Sequence, residues 1–302
     1  MTCKKNATAI LAYKGFDANM RHLARQFEVG KSYEYDGAVV RGKAGFRACE
    51  HPLNALGYRS PACSRFALVE MSGEIDRETD GDTQIYASRI AIKAEVRLPE
   101  LVEAAVKWVF DRAKWSDWDT VSEPNEGAIA SGEPGAATAS GEYGAATASS
   151  WCGAATVCGW CGAATASGES GAATASGELG AAIANGEYGA ATVCGWYGAA
   201  TANGRYGAAT ASGESGVAIA NGELGAATAS SEAGVAIASH ATASAHASSN
   251  GSVSGVMGAA LHLDERNDDG EIIAVWAGIA GRDGIKPDTF YSLKNGKPEE
   301  AA

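Results

Sequence analysis

The residues with the clearest chemical potential are two cysteines and a run of glutamates. Cys158-Gly-Trp-Cys161 has the two-residue spacing of a redox dithiol. That chemistry needs a strand before the pair and a helix after it. Other copies of the same segment carry Ser and Tyr in these positions, so a small-residue substitution is the plainer reading. No His stands near enough in sequence to complete a metal set. Asp264 to Glu271 superficially resembles a calcium loop, but its acid spacing does not fit that pattern. His22, His51, His240, His246 and His262 are scattered, and neither a Ser-His-Asp order nor a phosphate loop is visible. The sequence therefore names no cofactor and no metal. Its seven cysteines are odd in number and follow no small-domain framework, which indicates a reducing compartment.

The glutamates belong to a repeat. Glycine recurs every nine residues from Gly135 to Gly234, and degenerate copies extend the pattern to about 126 and 251. The unit is Gly-Ala-Ala-Thr-Ala-Ser-Gly-Glu-X. Slots two to six alternate without Pro and read as a short strand. Slots seven to nine and the next slot one read as a turn. Nine residues are too few to go out and return, so two units make one flat coil of 18. Successive coils then stack at about 4.8 Å, roughly seven of them giving a rod on the order of 35 Å long. Slots three and five are wholly apolar, which favours Ala pointing inward and Thr and Ser outward, since unpaired hydroxyls are costly to bury. The opposite parity would place Val217, Ile219, Val235 and Ile237 in the core. Strict register argues against low-complexity disorder.

Slot eight holds Glu133, Glu142, Glu169, Glu178, Glu187, Glu214, Glu223 and Glu232. With Glu126 these make nine acids on the rod against one base, Arg205. Edge charge of this kind keeps rods soluble and apart. A row of carboxylates could alternatively mimic phosphates toward a basic, DNA-binding partner. Trp151, Trp160 and Trp196 interrupt the row and are candidate partner-contact residues, with Glu133, Glu142, Glu169, Glu178, Glu187, Glu214 and Glu223 beside them. The outward Thr slots admit an ice-like ordering of water, although Ile129, Ile183, Ile219 and Ile237 interrupt the column.

Around the rod the composition is ordinary. Strands are expected at Thr8 to Tyr13, Phe27 to Tyr33, Ala38 to Arg41, Phe66 to Ser72 and Gln84 to Ile92, and a helix from Pro99 to Lys114. This predicts an α+β domain over 1–115 and a linker, or cap before the rod, over 116–125. The nonapeptide-repeat β-solenoid follows over 126–251, and a small β cap over 252–302. In the cap, hairpins are expected around Asn267 to Gly270 and at Asn295-Gly296.

The net charge of −12 argues against direct nucleic-acid binding and against an anionic membrane surface. No run of about 18 apolar residues is present. The start lacks the pattern of a signal peptide.

Tyr13-Lys-Gly-Phe16, Phe27-Glu-Val-Gly-Lys-Ser-Tyr33 and Gly45-Phe-Arg-Ala-Cys-Glu-His-Pro-Leu53 resemble a domain of unknown function, and Ile285-Lys-Pro-Asp-Thr-Phe-Tyr291 is similar to the segment in which such proteins end. It is common in bacteriophage and prophage proteins and is often followed by nonapeptide repeats. Relatives there usually carry His where this chain has Arg47, which weakens any role built on that His. The resemblance is almost silent as to activity; the leading expectation is a non-enzymatic interaction protein of phage origin with a protein partner, its solenoid a rigid display rod and its N-terminal domain a binding surface, in the cytoplasm of a bacterial host or in a virion. The alternative is an acidic inhibitor of a host DNA-binding or defence complex. The repeats are also distantly similar to β-roll heads of trimeric autotransporter adhesins, which implies that a homotrimer is open to the chain. Lys14-Gly15 with the strand at Gly45-Phe46 faintly resembles an ADP-ribosyltransferase-like fold, which would need a catalytic Glu, with Glu70 and Glu74 nearest.

Overall fold

The structure, a computed structural model, describes residues 9–77, 83–116, 120–131 and 135–301. The chain divides into two compact units, Met1–Leu101 and Val102–Ala302.

The first unit is a small closed ring of antiparallel strands. They are β1 (Ile10–Asp17), the short pair β2 (Arg21–His22) and β3 (Arg25–Gln26), β4 (Ser32–Glu34), β5 (Phe46–Cys49), β6 (Ser64–Arg77) and β7 (Gln84–Val96). The order β4-β7-β5-β1-β6 closes because β6 also pairs with β7. Alternation puts Ala12, Phe16, Ala67, Val69, Met71, Ile85, Ala87, Ile90 and Ile92 inside, with Phe27 and Phe46. Phe27 packs at 5.2 Å from Phe16 and 4.8 Å from Tyr33 between ring centroids.

Two expected strands differ. Of the first, only Ser32 and Tyr33 fall in a strand, β4, with Gly30 and Lys31 bonded to Ile92 just before it, and over Ala38 to Arg41 a single bridge joins Val40 to Ala44. The reason lies in the flanking turns: Gly30, Gly42 and Gly45 all take positive φ, which ends pairing on each side. The helix α1 (Leu98–Phe110) ends before Lys114, because Lys114 bonds to Asn125 O and begins a new strand. Leu101, Ala105 and Val109 form its buried stripe.

The second unit is the expected parallel β-solenoid. Each repeat strand pairs with the one 18 residues on, as in Ala137↔Ala155 and Ala155↔Ala173. The coil therefore has two strands, and the rod has about eight turns. Sheet I holds the strands 126–130, 145–148, 163–166, 181–184, 199–202, 217–220, 235–238 and 252–255. Sheet II holds 136–139, 154–157, 172–175, 190–193, 208–211, 226–229, 244–247 and 260–266. Slots three and five face inward in every copy, giving a thin alanine core from Ala128 to Ala247. Val157 and Val193 are the larger members, and Gly162 and Gly198 make room for them: a Cβ there would sit 2.3 and 2.0 Å from the valine methyls.

The stretch read as a linker or a cap supplies strands of the first coil. Lys114–Ser116 pairs with 126–130, Thr120–Val121 pairs with 136–139, and Val121 joins the alanine core. At the other end Leu261, Leu263, Tyr291 and Leu293 close the core. The hairpin strands 260–266 and 272–279 turn at Asn267–Gly270. Tyr291–Lys294 pairs antiparallel with 252–255, which ends the parallel stack. Its own hairpin turns at Asn295 and Gly296, both at positive φ.

The slot-four isoleucines and slot-six asparagines carry an 18-residue period. Ile129, Ile183, Ile219 and Ile237 all lie on sheet I. Asn185, Asn203 and Asn221 follow the sheet I strands as an amide ladder with two 2.7 Å bonds. The outer face of sheet I is buried over 181–184, 199–202 and 217–220, whereas sheet II exposes Ala172, Ala190, Ala208 and Ala226.

Candidate functional sites

Two strands per coil split slot eight into two columns on opposite edges of the rod. Turns from sheet I to sheet II carry Trp151, Glu169, Glu187, Arg205 and Glu223. Turns from sheet II to sheet I carry Glu142, Trp160, Glu178, Trp196, Glu214 and Glu232. The single acidic row read from the sequence is thus two interrupted rows. Glu133 lies outside the described residues.

The two edges differ. On the II-to-I edge, Tyr143 packs against Trp108 of α1 at 5.8 Å and against Trp160 at 6.3 Å. The Arg112 guanidinium lies 3.8 Å from the Trp108 ring centre. Trp160 is half-buried and donates its indole N–H to Glu178 Oε2 at 2.9 Å. Cys161 and Leu179 are buried there. Burial, then Cys161 and Glu142 nearby, push the Tyr143 hydroxyl up to about 12. Trp160 is therefore a packing residue of this edge, and Trp196 is exposed farther along it.

The I-to-II edge is open. Trp151 is 62% exposed, Tyr188 52% and Leu224 50%. Tyr188 and Tyr206 stack nearly parallel at 5.1 Å. Arg205 pairs with Glu223 at 3.1 Å. Of the sequence-predicted residues this edge gathers Trp151, Glu169, Glu187 and Glu223. Sequence reasoning missed Tyr188, Tyr206 and Leu224, which occupy slot nine in alternate copies; reading that slot every 18 residues would have found them.

The dithiol pair is not assembled as a redox motif. Cys158 ends a strand exposed on sheet II, Cys161 is fully buried in the next turn, and a strand rather than a helix follows. On sheet II the threonines form an unbroken column, Thr120, Thr138, Thr156, Thr174, Thr192, Thr210 and Thr228, because all four interrupting isoleucines fall on sheet I. Beyond Thr228 the column continues as His246 and His262, with His246 Nε2 3.1 Å from Asp264 Oδ1. Among the described residues no group of three His, Cys, Asp or Glu could hold a metal ion.

The first unit holds a small cleft, open to solvent on one side and lined by Tyr13, Lys14, Gly15, His22, Arg47, Ala48, Cys49, Ala55, Tyr58 and Arg59. Lys14 shares the inward parity of Ala12 and Phe16 and is 5% exposed. Its ammonium donates to Arg47 O at 2.7 Å. Burial first, then the Arg47 and Arg59 charges, pull it down to about 7. Burial and the charges of Lys14, Arg59 and Arg47 hold His22 at about 4. Arg59 Nη2 lies 3.5 Å from His22 Nδ1, and the Arg47 guanidinium sits 4.3 Å from the Tyr58 ring centre. Gly15 is required here, since a Cβ would meet Arg59 Cγ at 2.8 Å. No carboxylate lines the cleft among the described residues. Glu70 instead pairs with Lys93 at 2.9 Å, and Glu74 is exposed beyond the β6 irregularity.

These strands and this cleft coincide with a family match: residues 10–104 fit the model of a domain of unknown function, DUF7666. The chain thus carries an N-terminal DUF7666 domain over residues 10–104, followed by a repeat-based β-solenoid. No curated protein and no solved structure matches the chain. In the DUF7666 domain the cleft gathers residues of β1, β2, β5 and the 3₁₀ turn Pro52–Tyr58.

Proposed function

We propose that the chain is a non-enzymatic interaction protein of phage or prophage origin, whose rigid solenoid displays a partner-binding edge. The observation that carries this reading is the open I-to-II edge, where Trp151, Tyr188, Tyr206 and Leu224 stand exposed beside Glu169, Glu187 and Glu223. Aromatic side chains offer large contact area at low entropic cost, and regular coil spacing presents them in a rigid row. The partner suited to it is a protein surface with an apolar groove and flanking basic residues. The phosphate-mimic alternative draws less support, since the acids divide between two edges and Arg205 and three tryptophans interrupt them.

The test is quantitative capture from the host bacterium with the wild-type chain, with Trp151→Ser/Tyr188→Ser/Tyr206→Ser, and with Trp196→Ser on the other edge. Loss of a specific protein only in the triple variant supports the reading. Equal capture by all three removes it, and capture of a nuclease or DNA-binding complex through the glutamates instead would favour the decoy.

The unbroken threonine column favours a second reading, in which sheet II orders water against a crystalline surface. Inhibition of ice recrystallisation, abolished by Thr174→Tyr, is its check.

A further inference from the structure

We propose that the cleft of the DUF7666 domain is a binding site for a phosphate-type oxyanion. Four basic side chains, Lys14, His22, Arg47 and Arg59, converge on it from β1, β2, β5 and the end of the 3₁₀ turn. The groups facing Lys14 are Tyr13, His22, Arg47, Cys49, Tyr58 and Arg59, and no carboxylate stands among them. The Arg47 and Arg59 guanidiniums and the buried Lys14 stand here without a carboxylate, and like charges so gathered oppose folding, so an anion is the group that completes this arrangement. Lys14 spends one hydrogen bond on Arg47 O and holds its other donors at the cleft, nine-tenths buried. Guanidinium forks match the oxygens of a phosphoryl group, and the Arg47–Tyr58 stack holds one of them in place.

Lys14 is about half neutral near pH 7 in the empty site. An anion favours the charged ammonium, so binding above that pH draws a proton from solvent onto Nζ. His22, held near 4, stays neutral over the same range.

Isothermal titration of the full chain with sulfate, inorganic phosphate and adenosine monophosphate tests the site. Sulfate has no titration of its own in this range, so at about pH 8 its binding measured in two buffers of different ionisation enthalpy counts the proton. The expected result is millimolar or tighter binding with uptake approaching one proton. Arg59→Gln should weaken it roughly ten- to a hundredfold. Lys14→Met should weaken it as much and abolish the uptake, with both variants folded by circular dichroism. Tighter binding of adenosine monophosphate than of phosphate assigns a phosphomonoester, and equal binding assigns the free oxyanion. No binding of any probe at tens of millimolar overturns the proposal. So does proton uptake that survives in Lys14→Met or disappears in Cys49→Ser alone.

Discussion

Gly204→Ala is expected to open the solenoid at one coil. Gly204 occupies slot seven, where its φ is ordinary, so the requirement for glycine is one of space. A Cβ at this position would lie 1.6 Å from Gly186 O, 2.6 Å from its carbonyl carbon and 2.9 Å from Glu187 O. Real Cβ atoms essentially never come closer than 3.0 Å to such an atom, so adjacent coils must separate by at least roughly 1.4 Å there, or the turn must change path. The bonds from Asn203 N to Ala184 O at 2.9 Å and from Tyr206 N to Glu187 O at 2.8 Å flank the clash. Losing both costs about 1 kcal/mol each, and residual strain adds about 1–3 kcal/mol. The total, about 3–5 kcal/mol, should appear locally because each coil contacts only its neighbours. Hydrogen-exchange mass spectrometry of peptides covering 186–206 reads it directly. Ala190→Ser, at an exposed slot two of sheet II, is the matched control and should change little. A change under about 0.5 kcal/mol in Gly204→Ala would refute the close-packing account. Ser231 shows the alternative path: it carries a Cβ in slot seven and donates its hydroxyl to Gly213 O, and there Ser215 and Ala233 take φ of 56° and Ser215 N bonds forward to Glu232 O.

Other outcomes follow from the same structure. The Thr165 and Thr201 hydroxyls are buried without a hydrogen-bond partner, in a column that elsewhere holds Ile183 and Ile219, so Thr201→Val should stabilise the rod by about 1 kcal/mol, read as a rise in melting temperature. Asn203→Ala removes both bonds of the amide ladder and should cost about 1–2 kcal/mol by chemical unfolding. The Lys14 ammonium is held at about 7 against 10.5 unfolded, so the unfolded chain binds the extra proton between those values. Stability of the DUF7666 domain should therefore rise with pH from about 7, by on the order of 1.4 kcal/mol per unit; Lys14→Met should flatten that slope, and a slope it leaves unchanged refutes the assignment. His22, lowered from 6.5 to about 4, should make the same domain lose stability as pH falls through that window, and His22→Gln should remove the loss.

Much of the rod was legible because its period is a covalent fact. Glycine every nine residues, alternating small residues and a Gly-Glu-X-Gly turn leave the chain few options but a two-strand coil, and apolar slots three and five dictate which face turns inward. The candidate edge was only half legible. A nine-residue reading superimposes what an 18-residue coil separates, so the glutamates looked like one row and the threonines looked interrupted. The difference is one of parity: consecutive copies leave opposite sheets, and only pairing across coils tells which Ile129 or Trp151 shares a side with which neighbour. The stretch before the repeats could be read only as a linker or a cap because its polar residues hide two short strands that acquire partners only when the first repeat coil is present. The basic cleft is the clearest case of tertiary decision. Lys14, His22, Arg47 and Arg59 are spread over 46 residues and carry no spacing signal. Ring closure of β1, β5, β6 and β7 brings them within one cleft, and burial there, which no sequence pattern states, moves the Lys14 ammonium into the neutral range.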